Sequence, residues 1–200
     1  MNGFDMALTA GGNSEALQIA RGLRKGDLVV IQALVAQYQY RLVRYLIYLT
    51  GRRDDVDDLV QETWLRVLER GRSYDGRSRF EPWLFTIARN LTIDHLRKRR
   101  NVSLDLDDHA EEAIALRMPA DNEPSPFALA ARTEDAHRLA KAMQTLDFQS
   151  REVLVLRFQE ELSLLEVAGV VGASVSTVAS RIYRGLQTLR TELEGGRNER

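Results

Sequence analysis

Apolar residues recur at a spacing near 3.6 along almost the whole chain, and that repeat breaks only once. Ile31, Leu34, Val35, Tyr38, Leu42, Tyr45, Leu46 and Leu49 put one broad apolar face on a helix. Asp27 stands where a cap is needed and Gly51 where the helix should stop. A second helix is expected over residues 54–70, turned inward through Val56, Leu59, Val60, Thr63, Trp64, Val67 and Leu68. A third is expected over 83–100, with Pro82 tolerated in the first turn and Leu84, Ile87, Ala88 and Leu91 inward. The break spans 101–126, where seven carboxylates face a single Arg117 and three of the four prolines fall. Such a stretch cannot bury enough apolar surface to offset its ordering entropy, and it reads as a solvated acidic linker.

Periodicity resumes near Phe127. Leu139, Ala142, Met143 and Leu146 form one face, and an Asp147-capped helix follows with Val153, Leu154, Leu156 and Phe158 as its apolar positions. Ser163 with Glu166 three residues on is a capping box for a short helix, inward through Leu164, Val167, Ala168 and Val171. The turn Gly172-Ala173-Ser174 leads to a last helix, with Val178, Ile182, Leu186 and Leu189 inward. The expected fold is all-α: two small helical domains, 25–101 and 127–195, joined by an acidic flexible linker at 102–126. Residues 1–24 are expected as an extension, loosely ordered except for a helical piece around 14–24, and 196–200 as a tail.

Composition excludes several classes. The 28 Lys+Arg nearly cancel the 29 Asp+Glu, and there is no cysteine. A disulfide scaffold, a thiolate metal site and a cysteine nucleophile are therefore ruled out. The three histidines, His95, His109 and His137, match no metal-ligand spacing. There is no glycine-rich phosphate loop and no Ser/His/acid set, so neither a cofactor nor a metal is expected and the chain does not read as an enzyme. No apolar run approaches the roughly 20 residues that span a bilayer. The first twenty residues lack a basic start followed by an apolar stretch. The expectation is a cytoplasmic protein without membrane insertion.

Three charged or polar faces remain after the core positions are assigned. On the 54–70 helix, Asp58, Gln61, Glu62 and Leu65 form a face the core does not need. Acidic residues favour a helix N-terminus for electrostatic reasons alone, but Leu65 on that face is not explained so, and an acidic rim around an apolar residue suits a basic partner helix. From Arg77 to Arg100 seven cations face two carboxylates, with Tyr74, Phe80 and Trp83 beside them. Cations along a phosphate backbone with aromatic surfaces for unstacked bases describe a single-strand platform; the same aromatics also suit a core. The last two helices have helix-turn-helix spacing. The outward positions of the second, Ser176, Thr177, Ala179, Ser180, Arg181, Tyr183 and Arg184, suit phosphates and base edges, or equally a solvated arginine face.

Taken in order, these segments resemble the sigma-70 family, specifically its extracytoplasmic function (ECF) group. "DDVDDLVQETWLRVL" (54–68) resembles the family's polymerase-binding helix. "RFEPWLFTIARNLTIDHLRKRR" (79–100) resembles its −10 melting and recognition helix. "SREVLVLRFQEELSLLEVAGVVGASVSTVASRIYRGLQTLR" (150–190) resembles the domain that reads the −35 element. The resemblance implies a transcription initiation factor that directs core RNA polymerase to promoters and assists melting. Asp58, Gln61, Glu62 and Leu65 would dock on the β′ clamp helices. Tyr74, Arg77, Phe80, Trp83, Arg89, Asn90, Asp94, Arg97, Lys98, Arg99 and Arg100 would engage the −10 strand. Ser176, Thr177, Ser180, Arg181, Tyr183 and Arg184 would contact the −35 duplex. The implied partners are core polymerase, through β′ and β, promoter DNA and an anti-sigma factor. The chain departs from the family pattern at Asp147, Gly169 and Ala179. Two other classes fit parts of the pattern: a stand-alone helix-turn-helix regulator that needs no polymerase, and a helical adaptor without DNA function.

Overall fold

A computed structural model describes residues 12–102, 136 and 138–195. Among the described residues every regular element is helical. The N-terminal body contains α1 (Gly12–Lys25), α2 (Leu28–Thr50), α3 (Val56–Arg70), a short 3-10 turn at Gly71–Ser73 and α4 (Phe80–Val102). The C-terminal body contains α5, described over 138–144, then α6 (Phe148–Leu154) running into a π-helical turn (Val155–Gln159), α7 (Leu164–Val171) and α8 (Val175–Gly195).

The caps fall where the sequence places them. The Asp27 carboxylate accepts from Val29 N at 3.0 Å, and the Asp147 carboxylate accepts from Ser150 N at 2.9 Å. Ser163 and Glu166 close a reciprocal box, with Ser163 N donating to Glu166 Oε2 at 2.8 Å. Each such cap is worth about 1 kcal/mol against alanine.

The helical piece expected around 14–24 is present within α1, and it is packed into the N-terminal body rather than held as a loose extension. Ala16, Ile19, Ala20 and Leu23 of α1 are buried against Val30, Leu34 and Tyr38 of α2 and against Tyr74, Phe80 and Leu84. Small side chains make this packing possible. A Cβ on Gly22 would sit 2.6 Å from Val30 Cγ2. Gly76, at φ +73, lets the loop after α3 press on α1, where a Cβ would meet Ala16 O at 2.7 Å. Residues 1–11 lie outside the described residues, as do the expected linker residues 103–126 and the tail 196–200.

The two bodies are packed on each other. Leu42, Tyr45, Leu46 and Leu49 of α2 and Phe85 and Ala88 of α4 share one apolar cluster with Met143, Leu146, Val153, Leu156, Val167 and Val171. Several apolar positions expected inside are exposed: Leu68, Leu139, Phe158, Leu164 and Leu186. Leu164 and Leu139 sit at the starts of the described helical stretches, ahead of the packed turns. The wider π turn rotates Phe158 out of the stripe. In α8 the buried Gly185, whose Cβ would lie 2.9 Å from Leu154 Cδ1, takes the inward position that Leu186 was expected to hold.

Candidate nucleic-acid and protein interfaces

The α3 face is assembled as the spacing predicts. Asp58 and Gln61 are exposed, Leu65 is 53% exposed, and Glu62 pairs with Arg66 at 3.0 Å. Leu68, assigned inward from the sequence, is 49% exposed and extends this face by one turn. At the start of the helix Asp55 accepts from Arg99 at 2.7 Å and faces His95 Nε2 at 3.3 Å. Arg99 therefore ties α4 to α3.

The aromatic part of the expected single-strand platform is corrected. Tyr74 and Phe80 are each only 2% exposed. Their rings meet at 5.5 Å, Phe80 meets Tyr38 at 5.3 Å, and the Tyr74 hydroxyl donates to Ser78 O at 2.6 Å. No base can stack on either ring in this arrangement. Their apolar mass completes the core around α1, the helix the sequence reading assigned to the extension 1–24. Trp83 is half-buried against both.

The cationic part is present and unevenly engaged. Arg77 is exposed, 3.5 Å from Asp75. On α4, Asn90, Asp94, Arg97 and Lys98 are exposed. The Arg100 side chain lies outside the described residues. Arg79, unassigned among the site residues, donates to Glu81 at 2.9 Å and lies 3.9 Å from Glu166 of α7. Burial alone would raise the Glu81 carboxyl, but a hydrogen bond from its own backbone N–H, the Arg79 side-chain hydrogen bond and the charges of Arg79 and Arg41 outweigh it and hold the group below its ordinary range.

In the C-terminal body α7 and α8 meet at 98°, within the range of helix-turn-helix units. Gly172 makes the turn at φ +64, a conformation that costs a side-chain-bearing residue. The Ser174 hydroxyl accepts from Thr177 N at 3.1 Å and lies 2.9 Å from Ser176 Oγ. Ser176, Ser180, Tyr183 and Arg184 are exposed, with Thr177 and Arg181 half-buried beside them. The predicted base-reading set thus shares one face of α8. The Tyr183 hydroxyl accepts from Gln187 at 2.8 Å.

Between the bodies lies a constellation the sequence reading missed. Glu152 and Glu160 are fully buried. Arg89 Nε donates to Glu152 Oε1 at 2.8 Å, and the Tyr45 hydroxyl donates to the same oxygen at 3.3 Å. Arg41 Nε donates to Glu160 Oε2 at 2.8 Å, and Arg44 lies 3.4 Å from Glu160 Oε1. Arg151 reaches back to donate to Tyr48 O at 3.1 Å. Burial raises the Glu152 carboxyl above the ordinary range, against the pull of Arg89 and Tyr45. The available signal for Glu152 was "REVLVLRF", where the carboxylate adjoins four consecutive apolar residues that cover every side of the helix. A carboxylate inside such a run must be buried and paired.

Among the described residues no three histidine or acid side chains converge as a metal site, and no single helix is long and apolar enough to cross a membrane. Residues 34–102 match the family model for Sigma-70 region 2, and residues 136–189 that for Sigma-70, region 4. The ECF RNA polymerase sigma factor SigX of Bacillus subtilis is 30% identical over 171 residues, 84% of this chain and 86% of that protein. SigW of the same organism is 29% identical over 174 residues, 86% of this chain and 92% of that protein. Two solved structures share the fold. The sigma factor RpoE in complex with the anti-sigma factor NepR from Bartonella quintana aligns with TM-score 0.67 at 24% identity, covering 82% of this chain and 96% of that one. CnrH in complex with the cytosolic domain of CnrY aligns with TM-score 0.64 at 28% identity, covering 90% of this chain and 97% of that one. Two ordered family segments and relatives matched over most of their length converge on one assignment: the chain belongs to the extracytoplasmic function sigma factors of the sigma-70 family.

Proposed function

We propose that the chain is an initiation factor that docks on core RNA polymerase through α3, engages the −10 strand with α4 and reads the −35 duplex with α8. The observation that carries this reading is the presence, on one chain and in family order, of three surfaces with different chemistry. The first is an acidic face around the exposed Leu65. The second is the exposed polar and cationic side of α4. The third is the hydroxyl- and arginine-bearing face of a 98° helix-turn-helix.

Each surface supplies a different part of the work. Leu65 and Leu68 offer the apolar centre and Asp58, Gln61 and Glu62 the polar rim that a basic helix of the β′ subunit would meet. Arg97 and Lys98 offer phosphate contacts, while Asn90 and Asp94 can hydrogen-bond unstacked bases. Extruding a base costs a few kcal/mol, which its capture offsets. With Tyr74 and Phe80 buried, the half-buried Trp83 is the aromatic of this set left to take part. Arg181 and Arg184 can each bind a guanine edge bidentately. The acidic segment 102–126 would follow the polymerase's nucleic-acid channels by virtue of its negative charge. The likeness to CnrH, solved with the cytosolic domain of CnrY, supports a protein partner that holds this chain inactive, and the RpoE complex has the same fold. A stand-alone regulator would need neither the α3 face nor region 2.

Run-off transcription with core polymerase tests the reading. The chain is expected to initiate at its own promoter and to lose output when the −35 element is scrambled. Arg181→Ala with Arg184→Ala is expected to weaken −35 discrimination by about 1–3 kcal/mol per base-reading contact. Output indifferent to the −35 sequence would remove α8 from promoter reading.

A further inference from the structure

We propose that Arg41, Arg44 and Arg89 form a phosphodiester-binding site for promoter DNA, which the chain's own Glu160 and Glu152 occupy in this closed arrangement. The proposal rests on the promoter-factor reading and adds to it residues on α2 that no motif marks.

Three guanidinium groups on α2 and α4 of the N-terminal body converge on two carboxylates of the C-terminal body. The partners lie 63 residues apart for Arg89 and Glu152 and 119 apart for Arg41 and Glu160, so docking of the bodies alone creates them. Arg41 also has a carboxylate of its own body, Glu81 at 3.7 Å. Among the described ion pairs Arg44 and Arg89 have none; their anions come from across the interface. The Gln159 amide lies against Arg44 as well. Separation of the bodies would leave Arg44 and Arg89 without a counter-charge and Arg41 with Glu81 alone, so that another anion can take the place of Glu160 and Glu152.

A phosphate oxygen pair and a carboxylate present the same geometry to a guanidinium fork. Arg89 also lies one residue from exposed Asn90, on the helix that carries exposed Arg97 and Lys98. The cluster therefore continues the cationic side of α4 onto α2. Carboxylates and strand phosphates compete for one site, so opening and DNA binding favour each other reciprocally.

The test uses the full chain and a labelled single-stranded oligonucleotide of mixed sequence, read by fluorescence anisotropy at fixed low salt. Small-angle scattering reports the separation of the bodies, and circular dichroism reports helix content. Glu152→Gln with Glu160→Gln is expected to expand the chain and tighten oligonucleotide binding about ten-fold. Adding Arg41→Gln and Arg44→Gln is expected to keep the expansion and abolish the gain. Expansion without a gain, a gain that survives loss of the arginines, or no change in either readout would each overturn the proposal. Should the double glutamine variant lose its helix content, Arg44→Gln alone decides. Its salt slope should fall by about 0.7, the loss of one strand phosphate, and an unchanged slope excludes Arg44 from the site. Neither readout involves polymerase. A chain that binds strands as described but drives no run-off transcript contradicts the promoter-factor reading and leaves the site standing.

Discussion

Gly169 shows how a single residue can depart from its surroundings without being required by them. It lies inside α7, exposed, with nothing within 4 Å of where a Cβ would project. Gly169→Ala should therefore stabilise the chain by about 1 kcal/mol, seen as a higher urea midpoint at unchanged slope. Glu81 makes a pH prediction. Its folded-state carboxyl is held below the ordinary 4.5, so its contribution is complete above that value and is lost as pH falls through the depressed one. The gap in urea midpoint between the chain and Glu81→Gln should be constant near neutrality and close on acidification. Glu152 has the opposite sign, since burial raises it, so the comparison with the variant is what isolates Glu81. At this scale the caps were legible because their partners lie within three residues, as at Asp27, Asp147 and Ser163. Glu152 and Glu160 were not, because their arginines are 63 to 119 residues away in sequence.

Among the elements, the outward residues of α3 and α8 were legible because each helix is amphipathic, although Leu68 and Leu186, expected inward, are exposed. Their outward faces hold the residues the spacing named, with Leu68 added to the α3 face by its exposure. Leu65→Glu with Leu68→Glu should leave helix content intact, since neither side chain is in the core. It should also reduce co-elution with core polymerase at least ten-fold, the scale of losing an apolar centre from an interface. Undiminished co-elution would place the docking surface elsewhere. The helix α1 was expected at 14–24, but its place in the core was not legible, for a physical reason. Beside Ile19 and Leu23 its packing uses Ala16, Ala20 and Gly22, whose small size permits close approach, and hydrophobic periodicity weighs large side chains only. The same omission left Tyr74 and Phe80 looking available for bases, because the helix that buries them was counted as an extension.

The whole molecule combines a formal charge of −1 with strongly uneven local charge. That balance suits a chain whose basic surfaces meet its own carboxylates until larger partners draw them apart. The order of the two helical bodies was legible in the sequence, whereas their docking was not. The shared cluster from Leu42 to Val171 uses residues that each body could equally have buried within itself. Direction of polymerase to promoters is the property on which the three surfaces converge. It is decided by mapping transcript start sites in vitro, on genomic DNA with the host's core polymerase and with or without the chain. Starts are expected that appear only with the chain and share two upstream elements at −10 and −35. Starts that are identical in both reactions, or that depend on the chain without sharing those elements, would contradict it.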